Sequence, residues 1–539
     1  MTVQTWQDKV AAKKEQASSN IPSEWRVPES ILAETAANPS ANILNVPRES
    51  GILSPREIEI TESTDATALL EQLSAGKYTS VEVATAFCKR AAIAQQLTSC
   101  LTETFFDVAL ARAKELDDHF AKTGKTTGPL HGLPISLKDC FNVTGVPTTI
   151  GFVSFLDKPP HTTNTALVDI LLKAGAVLYV KTNLPQTMMT ADSHNNIFGR
   201  TLNPNHLNLT AGGSSGGEGA LIALRGSLLG VGTDIGGSIR IPALCCGLIG
   251  FKPSSGRIPY AGMANPVRDG LTGIAPVAGP LCHSVRDADL FMDVVSQLKP
   301  EDVDDQVHGI PWTRPTPKDT LTIGLLREAP ERPWHPSIHR ALARAVNRLA
   351  RAGHTIVDLR DKPPSIKEAS ELAFQFFSMD TDNSTMGYIA ASGEPPIPSL
   401  EATYGKPPAD PPQPTLRGLY EANVAKADYE ARMRKMFIDN DLDIIISSGY
   451  QSPAPPHDTF GLPFYTVIWN LVDYPSCIIP FEKANEAEDA VFVRDVEYIP
   501  PYTPEEIEGA PCHVQIIGRR TKDETLVQNA KIVESILRA

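Results

Sequence analysis

Two glycine- and serine-rich segments stand close together in this chain of 539 residues, and an apolar segment that ends in a lysine precedes them. The three segments are residues 132–139, 212–220 and 232–240. Apolar and polar residues alternate over 133–138, which predicts a strand that ends at Lys138. Apolar runs at 176–181 and 228–232 predict two further strands, each preceded by a helical pattern. Strands that alternate with helices predict an α/β layered fold with a largely parallel sheet, and such sheets bind ligands at their strand ends.

Length, charge and cysteine content narrow the classes of function. The length exceeds that of a usual single core, so two domains are the default expectation. A formal charge of −14 argues against a nucleic-acid partner and against a polybasic membrane anchor. The absence of an apolar run of roughly eighteen residues or of a signal-peptide core predicts a cytoplasmic protein without a membrane partner. The eight cysteines lack zinc-binding spacing, so we expect reduced, buried thiols and no metal.

The first 60 residues differ in composition from the rest of the chain. Residues 1–18 have the pattern of an amphipathic helix. Residues 19–60 are rich in proline, asparagine and serine, which predicts an extended arm that packs on the body. A globular pattern follows, in which Thr79 and Glu82 form a capping-box pattern ahead of a helix.

Residues 380–415 contain many prolines and allow two interpretations. They are either a linker between domains or a surface excursion near the mouth of a pocket. Apolar strand patterns resume at 442–446 and 514–517, which favours the excursion.

Residues 212–216 match the pattern G-x-S-x-G of the α/β-hydrolase nucleophile elbow, in which Ser214 would be the nucleophile. Such an elbow directly follows an apolar strand, whereas residues 203–211 are polar. The order of residues along the chain leaves this alternative open, because several histidines follow Ser214. These are His283, His354, His457 and His513.

Lys138, Ser214 and Ser238 together supply a nucleophile and a base without histidine. A serine hydroxyl needs a neighbouring base, and a lysine can be that base only if burial keeps it neutral. The turn after the third predicted strand precedes a helix that we expect to begin at Ser238. Successive backbone N–H groups in such a turn suit an oxyanion. Asp234 and Arg240 flank this turn, and we expect them to form an ion pair; the alternative is that both face solvent.

The run G-G-S-S-G-G-E-G-A at 212–220, followed by G-T-D-I-G-G-S-I-R at 232–240, strongly resembles the amidase signature family. Further similar motifs are the lysine segment at 133–139, Asn183–Met188, Asn470 with Tyr474-Pro475, and residues 509–520. Within the family, the chain is most similar to the fungal acetamidases. The resemblance covers most of residues 60–535. It implies one domain over 61–539, an α/β/α layered fold with a mixed, largely parallel twisted sheet covered by helices, and residues 1–60 as an arm.

The same resemblance implies a role for each site residue. Ser238 is then the nucleophile, Ser214 the bridging serine after a cis Gly213–Ser214 peptide bond, and Lys138 the base. The backbone N–H groups of the oxyanion hole are those of Ile235, Gly236, Gly237 and Ser238. The residues expected to bind substrate are Met188, Gly213 and Ser215, and those expected to support the site are Asp234 and Arg240. An acyl pocket is expected from Met188, Met189, Trp469, Tyr474 and part of 380–415.

The expected function is hydrolysis of the C–N bond of small uncharged carboxylic amides, aliphatic or aryl, through an acyl-enzyme. Carbamates and esters present the same carbonyl to the nucleophile. The reaction needs no cofactor, its partners are the amide and water, and a homodimer is expected from the family alone. Three alternatives stay open: an esterase with Ser214 as nucleophile, a glutaminase-like amidotransferase subunit, and a non-catalytic amide-binding protein. Membrane-attached family members carry hydrophobic helices, and the chain has no such pattern.

Overall fold

The computed structural model describes residues 4–360, 362–406 and 413–539. Within these ranges eleven strands form one sheet and two short strands form a separate hairpin. The strands are β1 (Leu101–Thr104), β2 (Pro134–Lys138), β3 (Val177–Thr182), β4 (His194–Asn195), β5 (Gly199–Arg200), β6 (Leu229–Asp234), β7 (Ile249–Lys252), β8 (Val277–Cys282), β9 (Thr322–Leu325), β10 (Thr355–Asp358), β11 (Ile444–Ser447), β12 (Ser476–Lys483) and β13 (Pro511–Ile517). The order in the large sheet is β1-β3-β2-β6-β8-β7-β12-β13-β11-β9-β10.

Helices cover both faces of this sheet. The burial of every residue of β2, β3 and β6 follows from this covering. The helices are α1 (Trp6–Ser19), α2 (Glu29–Ala37), α3 (Val46–Glu49), α4 (Pro55–Thr61), α5 (Ala66–Ser74), α6 (Ser80–Thr98), α7 (Phe106–Thr123), α8 (Ala166–Lys173), α9 (Gly216–Ala223), α10 (Arg240–Cys246), α11 (Val285–Gln297), α12 (Pro336–Arg351), α13 (Ile366–Phe377), α14 (Ser384–Ser392), α15 (Pro398–Tyr404), α16 (Leu416–Asp439), α17 (Phe464–Leu471), α18 (Glu486–Asp489), α19 (Pro504–Ile507) and α20 (Asp523–Arg538). Helix α9 packs on β2, β3 and β6, and α10 packs on β7, β12 and β13.

The α/β class and the mixed sheet are confirmed, but parallel pairing is local. Strand β2 is parallel to β3 and β6, and β9 is parallel to β10 and β11. The pairings that join and flank these two groups are antiparallel. The expectation of a largely parallel sheet therefore holds within each group and fails between them. Antiparallel neighbours such as β7 and β8 need no crossover helix, and none lies between them.

The first 60 residues form more helix than their composition predicts. The expected N-terminal helix is α1, but the segment expected to be extended contains α2, α3 and the start of α4. Pro47 and Pro55 lie in the first turns of α3 and α4, where the missing N–H costs no hydrogen bond. The Ile43 N–H donates to the Pro204 carbonyl at 2.9 Å, so this segment contacts the body near the polar 203–211 region.

One continuous cluster of buried apolar residues runs from Ile21 to Leu537. The cluster includes side chains from before β1 and after β13, so the described chain shares one core. All eight cysteines are buried and none forms a disulfide. In the described ranges, no helix combines the length and the apolar character needed to cross a bilayer.

The proline-rich excursion at 380–415 contains α14 and α15, while its residues 407–412 lie outside the described residues. Glu394 attaches the excursion to the body. Its carboxylate accepts hydrogen bonds from the Val153 N–H and from the side chains of Gln186 and Asn196, each at 2.8 Å. The excursion is thus held beside the segment that follows β3.

Candidate active site

Lys138 lies at the end of β2 and is fully buried. Its Nζ is 2.6 Å from the Ser214 hydroxyl and 2.9 Å from the Thr233 hydroxyl, so both of its hydrogen-bond partners are neutral. Burial lowers the pKa of Lys138 to about 8, although Cys140, Asp234 and Glu218 each act to raise it. A lysine in this setting can lose its proton near neutral pH and act as a base.

Ser214 lies in a tight turn between residues 210 and 216, and the Gly213–Ser214 peptide bond is cis. Gly213 has no room for a side chain, since a Cβ would lie 2.3 Å from the Thr190 carbonyl oxygen. The Ser193 hydroxyl donates to the Gly212 carbonyl at 2.9 Å and accepts from the Gly216 N–H at 3.0 Å. Ser193 therefore clamps both ends of the segment that carries Ser214. Sequence reasoning missed Ser193, because nothing in the residues around it forms a recognisable pattern.

Ser238 lies in the turn between β6 and α10 and is only half-buried, unlike Lys138 and Ser214. Its carbonyl accepts a hydrogen bond from the Ser215 N–H at 3.2 Å, which holds the two glycine-rich segments side by side. Ser214 and Ser238 both line one large cavity. Helix α10 begins at Arg240 rather than at Ser238 as the sequence suggested.

The predicted ion pair between Asp234 and Arg240 forms, and both side chains are fully buried. The guanidinium donates to both carboxylate oxygens, at 2.9 and 3.0 Å, and Asn470 donates to Asp234 at 2.8 Å. Burial alone would raise the pKa of Asp234, but the charge and hydrogen bonds of Arg240 outweigh it and hold the pKa at about 2. Arg240 also donates to the Thr466 carbonyl and the Gln515 side chain, each at 2.9 Å.

Asp234 also organises the backbone of the Ser238 turn, and this changes the expected oxyanion hole. The Gly237 N–H donates to Asp234 at 2.8 Å, so it is not free to bind an oxyanion as the sequence suggested. In the described ranges the N–H groups of Ile235, Gly236 and Ser238 donate to no protein acceptor. The turn therefore offers three donors, while the fourth N–H orders the turn.

The large cavity has a volume of about 1050 Å³ and is lined by Ser214, Ser238 and Thr233 among others. A small cavity of about 30 Å³ adjoins it and is lined by Gly213, Gly236 and Ser238 among others. The residues that line both are Met188, Met189, Ile235, Ser238 and Phe377. Two of the expected substrate-binding residues, Met188 and Gly213, thus lie at the site.

Three of the expected site residues, Ser215, Trp469 and Tyr474, line neither cavity. Ser215 is fully buried, and its hydroxyl accepts from the Thr233 N–H at 3.3 Å, so it supports the turn instead of facing either cavity. Trp469 is fully buried in α17, and Tyr474 packs edge-on against Phe437 with ring centres 5.6 Å apart. The excursion at 380–415 does contribute to the cavity walls. Its lining residues include Asp380, Thr385, Tyr404 and Thr415.

Glu218, in the first turn of α9, is a buried carboxyl beside the lysine strand. Its oxygens accept hydrogen bonds from the hydroxyls of Ser136 at 2.5 Å and Thr182 at 2.9 Å. Burial raises the pKa of Glu218 to about 8, although these hydroxyls and Lys138 act to lower it. Glu218 is therefore protonated at neutral pH and links α9 to β2 and β3 without adding a charge beside Lys138.

The histidines that an elbow mechanism would need lie away from Ser214. None of His283, His354, His457 and His513 lines the large or the small cavity. His457 contacts Asp192 at 3.1 Å, and His513 accepts from the Gly449 N–H at 3.1 Å. No strand precedes Ser214 directly either, since residues 203–211 form only isolated bridges.

The chain is similar to known proteins over most of its length. A family model described as Amidase matches residues 82–527. The chain is 40% identical to an amidase of Gibberella moniliformis, over 99% of each chain. It is 39% identical to an acetamidase of Emericella nidulans, over 99% of this chain and 98% of the relative. A solved fatty acid amide hydrolase superposes with a TM-score of 0.91 at 32% identity, over 99% of this chain and 95% of that one.

Proposed function

The chain belongs to the amidase signature family and is therefore a hydrolase of amides, and on that premise we propose that Ser238, Ser214 and Lys138 carry the reaction. Its substrates in this proposal are small uncharged carboxylic amides, with water as the second reactant and no cofactor. One observation carries the proposal. Lys138 is fully buried and lies 2.6 Å from the Ser214 hydroxyl, which lines the same cavity as Ser238.

Acylation begins with neutral Lys138. Its lone pair accepts the proton of Ser214 as Ser214 accepts the proton of Ser238, and the Ser238 oxygen bonds to the amide carbonyl carbon. The Thr233 hydroxyl, 2.9 Å from Nζ, accepts an N–H of the lysine and leaves the lone pair directed towards Ser214. The C–N bond then breaks as Ser214 gives a proton to the nitrogen and regains one from Lys138. The products of this half-reaction are the free amine and an acyl ester on Ser238.

Deacylation uses the same groups. Water loses a proton along the route through Ser214 to Lys138, and its oxygen bonds to the ester carbonyl carbon. The bond to Ser238 breaks, the Ser238 oxygen takes the proton back, and a carboxylic acid leaves. The net reaction converts one amide and one water into one acid and one amine.

The N–H groups of Ile235, Gly236 and Ser238 stabilise the negative oxygen that forms in both halves. Donors that are fixed in place before the reaction are worth ~3 kcal/mol each in the barrier. The Asp234–Arg240 pair supports this role, because it orders the turn through the Gly237 N–H.

The reaction needs no partner besides substrate and water, and we place the enzyme in the cytoplasm. All eight cysteines are buried thiols, which suits a reducing compartment. The high pKa values that burial gives Cys88 and Cys246 keep these thiols protonated.

Replacing the nucleophile tests the proposal. We expect Ser238→Ala to lower turnover of a cleaved amide such as acetanilide by about 10⁴-fold or more, because no second hydroxyl can form the acyl ester. The measurement is amine release by the purified variant, with circular dichroism to show that it folds. Ser74→Ala is a matched control, since Ser74 is exposed, lines neither cavity at Ser238 and donates its hydroxyl to the Glu71 carbonyl at 3.0 Å. Turnover by Ser238→Ala at more than a tenth of the wild-type rate would refute the assignment.

A further inference from the structure

The two cavities at Ser238 differ about thirtyfold in size, and the reaction assigns a different half of the substrate to each. We infer that the small cavity holds the acyl group and the large cavity the amine, so the preferred substrates are short-acyl amides of bulky, uncharged amines such as anilides. This inference rests on the proposed function, because it uses the roles of Ser238 and Ser214.

The side on which the amine leaves follows from Ser214. Ser214 returns a proton to the leaving nitrogen, so that nitrogen must face Ser214 when the C–N bond breaks. Ser214 and Thr233 line the large cavity and do not line the small one. Gly213 and Gly236 line the small cavity and do not line the large one. The amine therefore points into the large cavity, and the acyl group points to the opposite side of Ser238.

The small cavity is lined by side chains that are held in place. The Tyr404 hydroxyl donates to the Met189 carbonyl at 2.5 Å, which joins α15 to the segment after β3. The Phe374 ring packs edge-on against Phe377 at 5.6 Å and against Tyr404 at 6.2 Å between ring centres. Ile241 and Pro463 line the cavity as well. A volume of about 30 Å³ holds one or two groups the size of a water or a methyl. An acetyl or propanoyl chain fits, whereas a longer chain must displace an aromatic ring.

The large cavity has room for ring systems. Its walls include the apolar side chains of Tyr260, Met263, Phe376 and Leu419. Its lining also includes Asp269, Asp380 and Lys426, which can contact polar substituents on the amine. About 1050 Å³ is far more than ammonia or methylamine fills, so a bulky apolar amine gains contacts that a primary amide lacks.

Two substrate series test the assignment on the wild-type enzyme. One keeps a 4-nitroaniline amine and lengthens the acyl group from acetyl through propanoyl, butanoyl and hexanoyl to decanoyl. The other keeps acetyl and enlarges the amine from ammonia through methylamine and aniline to 2-naphthylamine. We expect kcat/KM to fall at least tenfold from propanoyl to hexanoyl, and to rise as the amine grows.

Phe374 and Phe376 of α13 provide a matched pair of variants, because the first lines only the small cavity and the second only the large one. Phe374→Leu should raise the ratio of butanoyl to acetyl turnover at least fivefold, and Phe374→Ala should raise it further. Phe376→Leu should leave that ratio within twofold of wild type, whatever its effect on overall rate.

The results of these experiments distinguish failure of the inference from failure of the proposed function. Faster cleavage of the hexanoyl or decanoyl 4-nitroanilide than of the acetyl 4-nitroanilide would overturn the inference and leave the proposed amide hydrolysis intact. An equal shift of the acyl ratio by Phe374→Leu and Phe376→Leu would also overturn it. Failure to cleave any member of either series would overturn the proposed function, and the inference with it.

Discussion

At the scale of single residues, the central question is why Lys138 can be neutral although acidic groups surround it. Burial removes water from the ammonium, and this effect is larger than the attraction of Cys140, Asp234 and Glu218. Each of these groups is weakened as a counter-charge. Arg240 already neutralises Asp234, and burial raises the pKa of Glu218 to about 8. Burial likewise raises the pKa of the Cys140 thiol, so it too stays neutral.

The pH dependence of activity follows from the lysine. The pKa of Lys138 is lowered to about 8, and below that pH the ammonium form predominates and cannot accept a proton. We expect kcat/KM to be greatest above pH 8 and to fall about tenfold for each unit below it. The measurement is the pH profile of kcat/KM for a neutral amide between pH 5.5 and 9.5. A profile that is level from pH 6 to 9 would contradict the role of Lys138.

At the scale of elements, the site is the meeting of one strand end and two turns, each held by its own contacts. The Ser214 turn is clamped by Ser193, and the Ser238 turn is ordered by Asp234 with Arg240. The parallel pairing of β2 with β6 brings Lys138 beside Thr233. Breaking any one of these contacts moves a reacting group relative to the other two.

Arg240→Met tests the support of the Ser238 turn. The variant leaves the buried carboxylate of Asp234 without its partner, and removing one member of a buried ion pair costs about 3–5 kcal/mol. We expect a loss of that size in the free energy of unfolding, measured by urea denaturation, together with loss of amide turnover. The double variant Asp234→Asn with Arg240→Met carries no buried charge there and should lose less stability than the sum of the single variants. Additive losses would show that the pair does not act as a unit.

Elements with a local signal could be predicted from the sequence, and those that depend on distant contacts could not. The alternation of apolar residues predicted β2, and Thr79 with Glu82 predicted the start of α6 through a capping box that forms. Helix α10 begins two residues after the predicted start, and the Gly237 and Ile239 N–H groups before it donate to the Asp234 side chain, a contact with no signal in the local sequence.

The direction in which a side chain points also depends on distant contacts and could not be predicted from the sequence. Ser215 follows Ser214 in the chain, yet the packing of α9 against β6 turns its hydroxyl towards Thr233. Trp469 and Tyr474 are aromatic residues near a site motif, and the sequence cannot tell that α17 and the turn after it direct them into the core. Met188 and Met189 could be placed at the site because Met188 is the last residue of a motif and Met189 directly follows it.

At the scale of the whole molecule, one sheet and one core bring together residues that are distant in the chain. The groups that surround Ser238 come from β2, from the turns before α9 and after β6, and from α13 and α15. Strand β2 and the two turns supply the reacting groups, while α13 and α15 shape the two cavities. Segments outside the signature thus supply part of the wall of both cavities, beside the residues that react.

In the proposed reaction Ser238, activated through Ser214 by neutral Lys138, forms the covalent acyl intermediate. The most direct test is to react the protein with a fluorophosphonate and to locate the adduct by peptide mass spectrometry. We expect one adduct, on Ser238, which forms faster as the pH rises through about 8 and is nearly absent in Lys138→Ala. An adduct on Ser214, or labelling of Ser238 that is unchanged in Lys138→Ala, would contradict the account.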